Sequence, residues 1–164
     1  MSVAMEKGKW KTKWTIIKYD SEEDYKKGKV AKIEEYDGNI LLNEGINLIW
    51  TLVCGGSGTP FNSANAYIGV GDSTTAESAA QTGLQAATNK LYKPMDSGYP
   101  IYGSNQQAIF QATFGASDAN FTWNEITVAN GSSDSAVNLN RKVVSMGTKA
   151  SGAVWTARVT ITIS

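Results

Sequence analysis

Residues 153–163, Ala-Val-Trp-Thr-Ala-Arg-Val-Thr-Ile-Thr-Ile, carry the clearest structural pattern of the chain. From Ala153 onward every second residue is apolar, and threonines together with Arg158 fill most of the positions between them. A period of two residues places the apolar side chains on one face of an extended strand and the polar ones on the other. The segment therefore predicts a half-buried β-strand.

Weaker strand patterns recur upstream of this segment, at residues 66–70, 107–114, 121–129 and 139–146. The connections between the later ones are rich in Gly, Ser, Asn and Asp, the residues that favour turns. Several short strands in succession, separated by turns, favour an antiparallel β-sandwich or jelly roll. We therefore predict a mainly β protein with a sandwich body over residues 37–164.

One short helix is predicted within this body, at about residues 43–54. Asn43 can cap its first turn, and Gly55-Gly56 can end it. A stripe of apolar residues recurs at helical spacing: Ile46, Ile49, Trp50 and Val53. Such a stripe predicts burial against the core. Cys54, the single cysteine, cannot form an internal disulfide and is expected to be a small buried hydrophobe.

The first third of the chain differs from the rest in charge. By count, residues 1–50 hold nine Lys and nine acids, whereas residues 51–164 hold six charges of each sign. Within residues 1–36 the segment from Trp10 to Tyr19 predicts one strand and the segment from Lys29 to Tyr36 another, with Asp20 to Gly28 as the loop. We therefore predict a charged β-hairpin arm, residues 1–36, attached to the body.

This arm is the predicted partner-binding region. A two-stranded ribbon is marginal on its own, so its aromatic rings must pack either on the body or on another chain. Under the second alternative the apolar residues anchor the arm to a partner, and the lysines pair with acidic groups on that partner. The residues assigned to this role are Trp10, Lys11, Lys13, Trp14, Ile16 and Tyr19.

The residues that usually carry catalysis are scarce. The chain has no histidine, which removes the commonest general base near neutral pH and the commonest metal ligand. The Gly69-Val70-Gly71-Asp72 stretch resembles a phosphate loop only superficially, because no lysine of the Walker type follows. It is interpreted as a strand that ends in a turn, where Gly71 allows an unusual φ and a short helix follows at residues 76–80. We expect no enzyme activity, no cofactor and no metal.

The overall charge suggests no polyanionic partner. Lys plus Arg and Asp plus Glu are equal in number, so the formal net charge is zero. Neither nucleic acid nor a membrane surface is an expected partner, because both are bound through positive charge. The few charges of residues 51–164 are typical of a surface covered by neighbouring subunits. The expected protein is soluble and, with its single cysteine, made in a reducing cytoplasm.

Three segments of the chain resemble the small structural proteins of tailed bacteriophages. They are GNILLNEGIN at residues 38–47, AYIGVGDSTTAES at residues 66–78, and the closing part from LNRKV at residues 139–143 to Ile163. The likeness spans roughly residues 37–164. It implies a β-rich subunit that decorates or cements the capsid or forms part of the tail, and it brings no catalytic residues with it.

The resemblance sets the expected function. The first expectation is a capsid decoration or cement protein that stabilises joints between major capsid subunits. It would be made in the host bacterial cytoplasm and bound in the virion to the major capsid protein and to copies of itself. The alternative is a tail, tail-tip or fibre component, including one that binds glycans. A free glycan-binding module comes third.

Overall fold

The structure, a computed structural model, describes residues 8–164. Residues 1–7, the first part of the predicted arm, lie outside the described residues. The strands are β1 (Trp10–Tyr19), β2 (Lys32–Asp37), β3 (Ile40–Leu41), β4 (Tyr67–Gly71), β5 (Lys90–Pro94), β6 (Ile101–Ser104), β7 (Gln107–Phe114), β8 (Thr122–Ala129), β9 (Asn140–Thr148) and β10 (Val154–Ile163). The helices are α1 (Glu22–Lys26) and α2 (Asn43–Val53).

The strands form two antiparallel sheets of five strands each. The first sheet has the order β2-β1-β10-β7-β6, and the second has the order β3-β9-β8-β4-β5. The core lies between them, because the apolar faces of β1, β7 and β10 meet those of β4 and β8. The predicted mainly β fold with an antiparallel sandwich is confirmed.

Strand β10 is the centre of the first sheet, as its strong alternation suggests. Its register pairs Val159 with Trp14 of β1 on one side and with Phe110 of β7 on the other. All three side chains are buried in the core. Threonines and Arg158 lie on the opposite, outer face of the same strand, which explains the period of two residues.

The predicted division into a separate arm and a body is wrong for the described residues. The hairpin itself is confirmed, since β1 and β2 pair in antiparallel fashion. However, β1 also pairs with β10 over its whole length, from Trp10 opposite Ile163 to Tyr19 opposite Val154. The hairpin is therefore one side of the first sheet, and the body cannot close its core without it. Helix α1 lies within the predicted loop and is capped by Ser21, whose hydroxyl accepts a hydrogen bond from the Asp24 backbone N–H.

Helix α2 forms close to its predicted place, but it is oriented differently. Leu42 occupies the cap position without a side-chain hydrogen bond, so the predicted capping role of Asn43 is wrong. The buried residues of the helix are Gly45 and Leu48. Gly45 allows this close approach, because a Cβ atom there would lie 2.6 Å from the Cα of Leu139. The side of the helix that carries Gly45 therefore faces the sandwich.

A long segment without helix or strand, residues 72–89, lies over the outer face of the second sheet; we call it the covering segment. The helix predicted at residues 76–80 does not form. Segments of this length rarely lack secondary structure in a compact domain unless other contacts hold them. Here the contacts are polar and partly buried: Glu77 accepts a hydrogen bond from the backbone N–H of Val143, and the Tyr92 hydroxyl accepts one from the backbone N–H of Leu84.

The main attachment of the covering segment is a fully buried ion pair. The Arg141 Nε atom donates to Glu125 Oε2 at 2.8 Å, and both side chains are inaccessible to solvent. The guanidinium also donates to the carbonyl of Thr75 at 2.9 Å, and the Glu125 carboxylate accepts from the backbone N–H groups of Gln85 and Ala86 at 2.9 and 2.8 Å. A buried charge of this kind is tolerated only when an opposite charge and hydrogen bonds compensate it.

The glycines of β4 make room for these side chains. A Cβ atom at Gly69 would lie 2.7 Å from the ring of Tyr92, and one at Gly71 would overlap the Glu125 carboxylate. Gly71 has no positive φ, so the predicted conformational role is wrong. The Gly-Val-Gly pattern exists because bulky side chains from neighbouring strands cross over this strand.

Candidate partner-binding surface

The predicted partner-binding residues do not form one surface. Strand β1 sends Trp14 and Ile16 into the core, where both are completely buried. Because they cannot contact another chain without unfolding, their assignment as partner anchors is wrong. The alternative, that the aromatic residues of the hairpin pack on their own domain, is confirmed for Trp14.

The two lysines and the two terminal aromatic residues of β1 remain outside the core. Lys11 and Lys13 are exposed on the outer face of the first sheet, and Lys13 forms an ion pair with Glu35 at 3.3 Å. Trp10 and Tyr19 lie at opposite ends of a ten-residue strand, about 30 Å apart at the usual rise of a strand. The Tyr19 ring packs edge-on against Tyr25 of α1, with the ring centroids 5.1 Å apart.

A charged cluster fastens β2 to β1 near the Tyr19 end. The Lys18 ammonium contacts Glu34 at 2.5 Å and lies 4.1 Å from the ring centroid of Trp155. Burial by itself raises the pKa of Glu34, but hydrogen bonds from Lys18, Lys32 and Tyr36 outweigh it and lower that pKa to about 2. Lys18 is therefore largely buried in contacts within its own chain, whereas Lys11 and Lys13 are exposed.

The Trp10 end of the sandwich carries an open apolar groove of about 710 Å³. One wall is the end of the first sheet, with Trp10, Ile161 and Ile163. The opposite wall consists of Ile49 from α2 and Phe61 from the loop after it. The turn between β6 and β7 closes the side, and no residue that lines the groove is ionised. A depression of this size and composition is suited to apolar side chains of a binding partner.

Helix α2 extends this apolar surface outward. The exposed fraction is 62% for Trp50 and 69% for Val53, so the prediction that their stripe packs in the core is wrong for these two residues. Ile49, from the same stripe, lines the groove. Cys54 follows Val53 and is exposed, contrary to the predicted burial. The groove, the exposed side of α2 and the neighbouring Tyr102, which is 72% exposed, form what we call the apolar end.

The sequence contains a signal for the apolar end that strand and helix patterns alone do not reveal. No Asp, Glu, Lys or Arg occurs from Gly45 to Gly71, a stretch that includes most of α2 and the whole loop that follows. A surface helix normally carries charged residues opposite its apolar face. Their absence indicates a helix covered on both sides, and the structure shows that only one side is covered.

The buried ionisable groups of the sandwich have structural partners. Lys149 is almost completely buried, and its ammonium donates to the carbonyl of Gly115 at 2.7 Å and to Asn120 Oδ1 at 2.8 Å. Burial lowers the pKa of Lys149, while the charge of Asp118 opposes this effect.

Among residues 8–164 no group of three or more His, Cys, Asp or Glu residues lies close enough to hold a metal ion. No helix in that range has both the length and the apolar character to cross a membrane.

Comparison with known proteins identified no relative. No protein-family model, no curated protein and no solved structure matches the chain.

Proposed function

We propose that this chain is a non-enzymatic structural subunit of a tailed-bacteriophage virion, and that it decorates the capsid at joints between major capsid subunits. The observation that carries the proposal is the apolar end, which combines an uncharged groove with the exposed side chains of Trp50, Val53 and Tyr102. Monomeric proteins rarely expose apolar patches larger than about 300–600 Å², and larger ones mark sites of association. The resemblance of residues 37–164 to structural proteins of tailed bacteriophages favours this kind of assembly.

The sandwich offers a capsid two surfaces of different chemistry. The apolar end can be buried at a joint, where it loses its contact with water. The outer face of the first sheet presents Lys11 and Lys13, which can pair with acidic groups at the rim of the same contact. Each contact is modest, but many copies bound to a repeating lattice add their contributions. The proposed partner residues are thus Trp10, Lys11 and Lys13 of the predicted set, together with Trp50 and Val53.

The test is cryo-electron microscopy of particles purified from a lysate in which this chain is produced. We expect density for the sandwich above joints between major capsid subunits, with the apolar end turned toward the contact. Density only on the tail would support the alternative, a tail component. Absence of the chain from purified particles would refute a virion role altogether.

A second arm of the experiment assigns the contact to particular residues. Particles assembled with Trp50→Lys should lose most of the chain, because a charge would be buried at the joint. Ile33→Lys is the matched control, since Ile33 is 56% exposed on β2, which is an edge strand away from the apolar end. Equal loss of both variants would show that the apolar end is not the contact.

A further inference from the structure

We propose that the side chains of Lys149 and Asn120 join in an intramolecular isopeptide bond, a covalent cross-link across the end of the second sheet. The Lys149 Nζ atom donates a hydrogen bond to the Asn120 Oδ1 atom at 2.8 Å. The carbon of that amide lies one C=O bond of about 1.2 Å beyond the oxygen, so the amine and the amide carbon lie within about 4 Å of each other. The bond forms within a single chain, so it does not rest on the proposed function.

Lys149 is placed as a nucleophile. It directly follows β9, and only 1% of it is accessible to solvent. Its hydrogen-bond acceptors among the described residues, the Gly115 carbonyl at 2.7 Å and the Asn120 amide, are both uncharged. Asp118 acts on Lys149 through its charge, but its carboxylate forms an ion pair with Lys93 at 2.6 Å. Burial therefore lowers the pKa of Lys149, and the neutral amine that this favours is the form that attacks a carbonyl.

The Asn120 amide is held at both ends. Its Oδ1 atom accepts from Lys149, and its Nδ2 atom donates to the carbonyl of Ala116 at 3.0 Å. The preceding residue, Ala119, has a φ of 49°, which is uncommon for alanine, and its carbonyl accepts a hydrogen bond from Trp123 Nε1 at 2.9 Å. Strained backbone of this kind persists only where the surrounding structure holds it, and it clusters at functional sites. The turn therefore presents the amide to the amine in a fixed orientation, as an intramolecular reaction requires.

Backbone contacts keep the two segments side by side next to these groups. The Lys149 N–H donates to the carbonyl of Phe121 at 3.1 Å. Thr122 of β8 lies opposite Thr148 of β9, and their hydroxyl oxygens are 2.7 Å apart. The amine and the amide thus stay adjacent for as long as the second sheet is folded, so a slow reaction can still reach completion.

The reaction is an acyl transfer that balances without any other reactant. A bond forms between Lys149 Nζ and Asn120 Cγ, the bond between Cγ and Nδ2 breaks, and one ammonia leaves. One proton moves from Nζ to the departing nitrogen. Asn120 is exposed, so water can carry this proton and the ammonia can escape. The product is a secondary amide, and nothing is oxidised or reduced.

The cross-link closes a loop from Asn120 to Lys149 that contains β8, β9 and the connection between them. A bond of this kind restricts the unfolded chain and so stabilises the folded one, as a disulfide does. The chain has a single cysteine and therefore no internal disulfide. An isopeptide bond supplies the same constraint in any redox environment, because its formation exchanges no electrons.

The test is intact-mass spectrometry of the purified full chain, before and after prolonged incubation in its folded form. We expect wild type to become lighter than its sequence mass by one ammonia, and Asn120→Ala and Lys149→Met to keep their full masses. Asn130→Ala is the matched control. Asn130 precedes Gly131, and an asparagine in that context can also lose ammonia by cyclising on its own backbone. This control should lose one ammonia as wild type does.

Peptide mapping then locates the bond. Trypsin does not cut after an acylated lysine, so the peptide from Val143 to Arg158 should appear uncut and joined to the peptide that carries Asn120. Circular dichroism checks that each variant folds, and Asn120→Ala, a substitution of an exposed residue, keeps the test valid if Lys149→Met does not fold. A folded wild-type chain that keeps its full mass would overturn the inference. An ammonia loss that persists in Asn120→Ala, or that maps to Asn130, would overturn it as well.

Discussion

Replacing Glu125 with Gln tests whether the buried ion pair holds the covering segment on the second sheet. The substitution keeps the size of the side chain but removes the charge that compensates Arg141, and neither side chain is accessible to solvent. Glu125 now accepts three hydrogen bonds through two oxygens, whereas a glutamine has only one acceptor oxygen. At least one donor therefore loses its partner.

The expected loss follows from the general cost of breaking a buried pair, about 3–5 kcal/mol. For a domain of this size each kcal/mol lowers the midpoint of thermal unfolding by about 2–4 °C, so Glu125→Gln should lower it by about 6–20 °C. Urea unfolding measures the free energy directly. The midpoint concentration should fall while the m value stays constant, because the surface exposed on unfolding is unchanged.

Two further variants make this test decisive. Glu23→Gln breaks an exposed ion pair with Lys27, and it should cost little because exposed pairs contribute about 0.2–1 kcal/mol. The double variant Glu125→Gln with Arg141→Met removes both charges and should be less destabilised than the sum of the two single variants. A loss below about 1 kcal/mol for Glu125→Gln would refute the reasoning.

Two further predictions concern the same fold. Gly71→Ala should destabilise the protein by about 1–3 kcal/mol in urea unfolding, because the added methyl group displaces the Glu125 carboxylate; unchanged stability would contradict that close approach. The lowered pKa of Glu34, about 2, predicts stability that is present above pH 4.5 and is lost as the pH falls toward 2. Glu34→Gln should therefore be less stable than wild type at neutral pH and nearly equal to it at pH 2, whereas Glu35→Gln, a substitution of an exposed neighbour, should show no such convergence.

Most of the strands were predictable because each carries its own local residue pattern, whereas β3, β5 and β6 were not predicted. In β10 the alternation alone identifies the element, its buried face and its polar face. The same holds for the even positions of β1, where Trp14 and Ile16 share one face. No local pattern, however, shows which other strands pair with β1. The pairing of β1 with β10 joins segments from opposite ends of the sequence, and it decides that these side chains are core and not anchors.

Helix α2 and strand β4 show a second reason why the structure differs from the sequence-based predictions. Helical spacing shows that Ile49, Trp50 and Val53 lie near each other, but the side that packs is set by how closely Gly45 can approach Leu139. Gly71 likewise indicates that a side chain is not tolerated at this position, but the sequence does not show why. The structure gives the reason: the Glu125 carboxylate from the neighbouring strand occupies the space. Glu125 and Arg141, charged residues of opposite sign inside two predicted strands, are the sequence signal that could have predicted the buried pair.

The position of β10 between β1 and β7 also determines how the protein reaches its native state. As the polypeptide emerges from the ribosome, β1 leaves early and has only β2 beside it until β10 appears. Hairpin contacts can form locally, but the central pairing of the first sheet must close a loop that spans most of the chain. Such high contact order makes folding slow, and Trp14 and Ile16 stay exposed to water in the meantime. During this interval the nascent protein is most exposed to aggregation and most in need of chaperones.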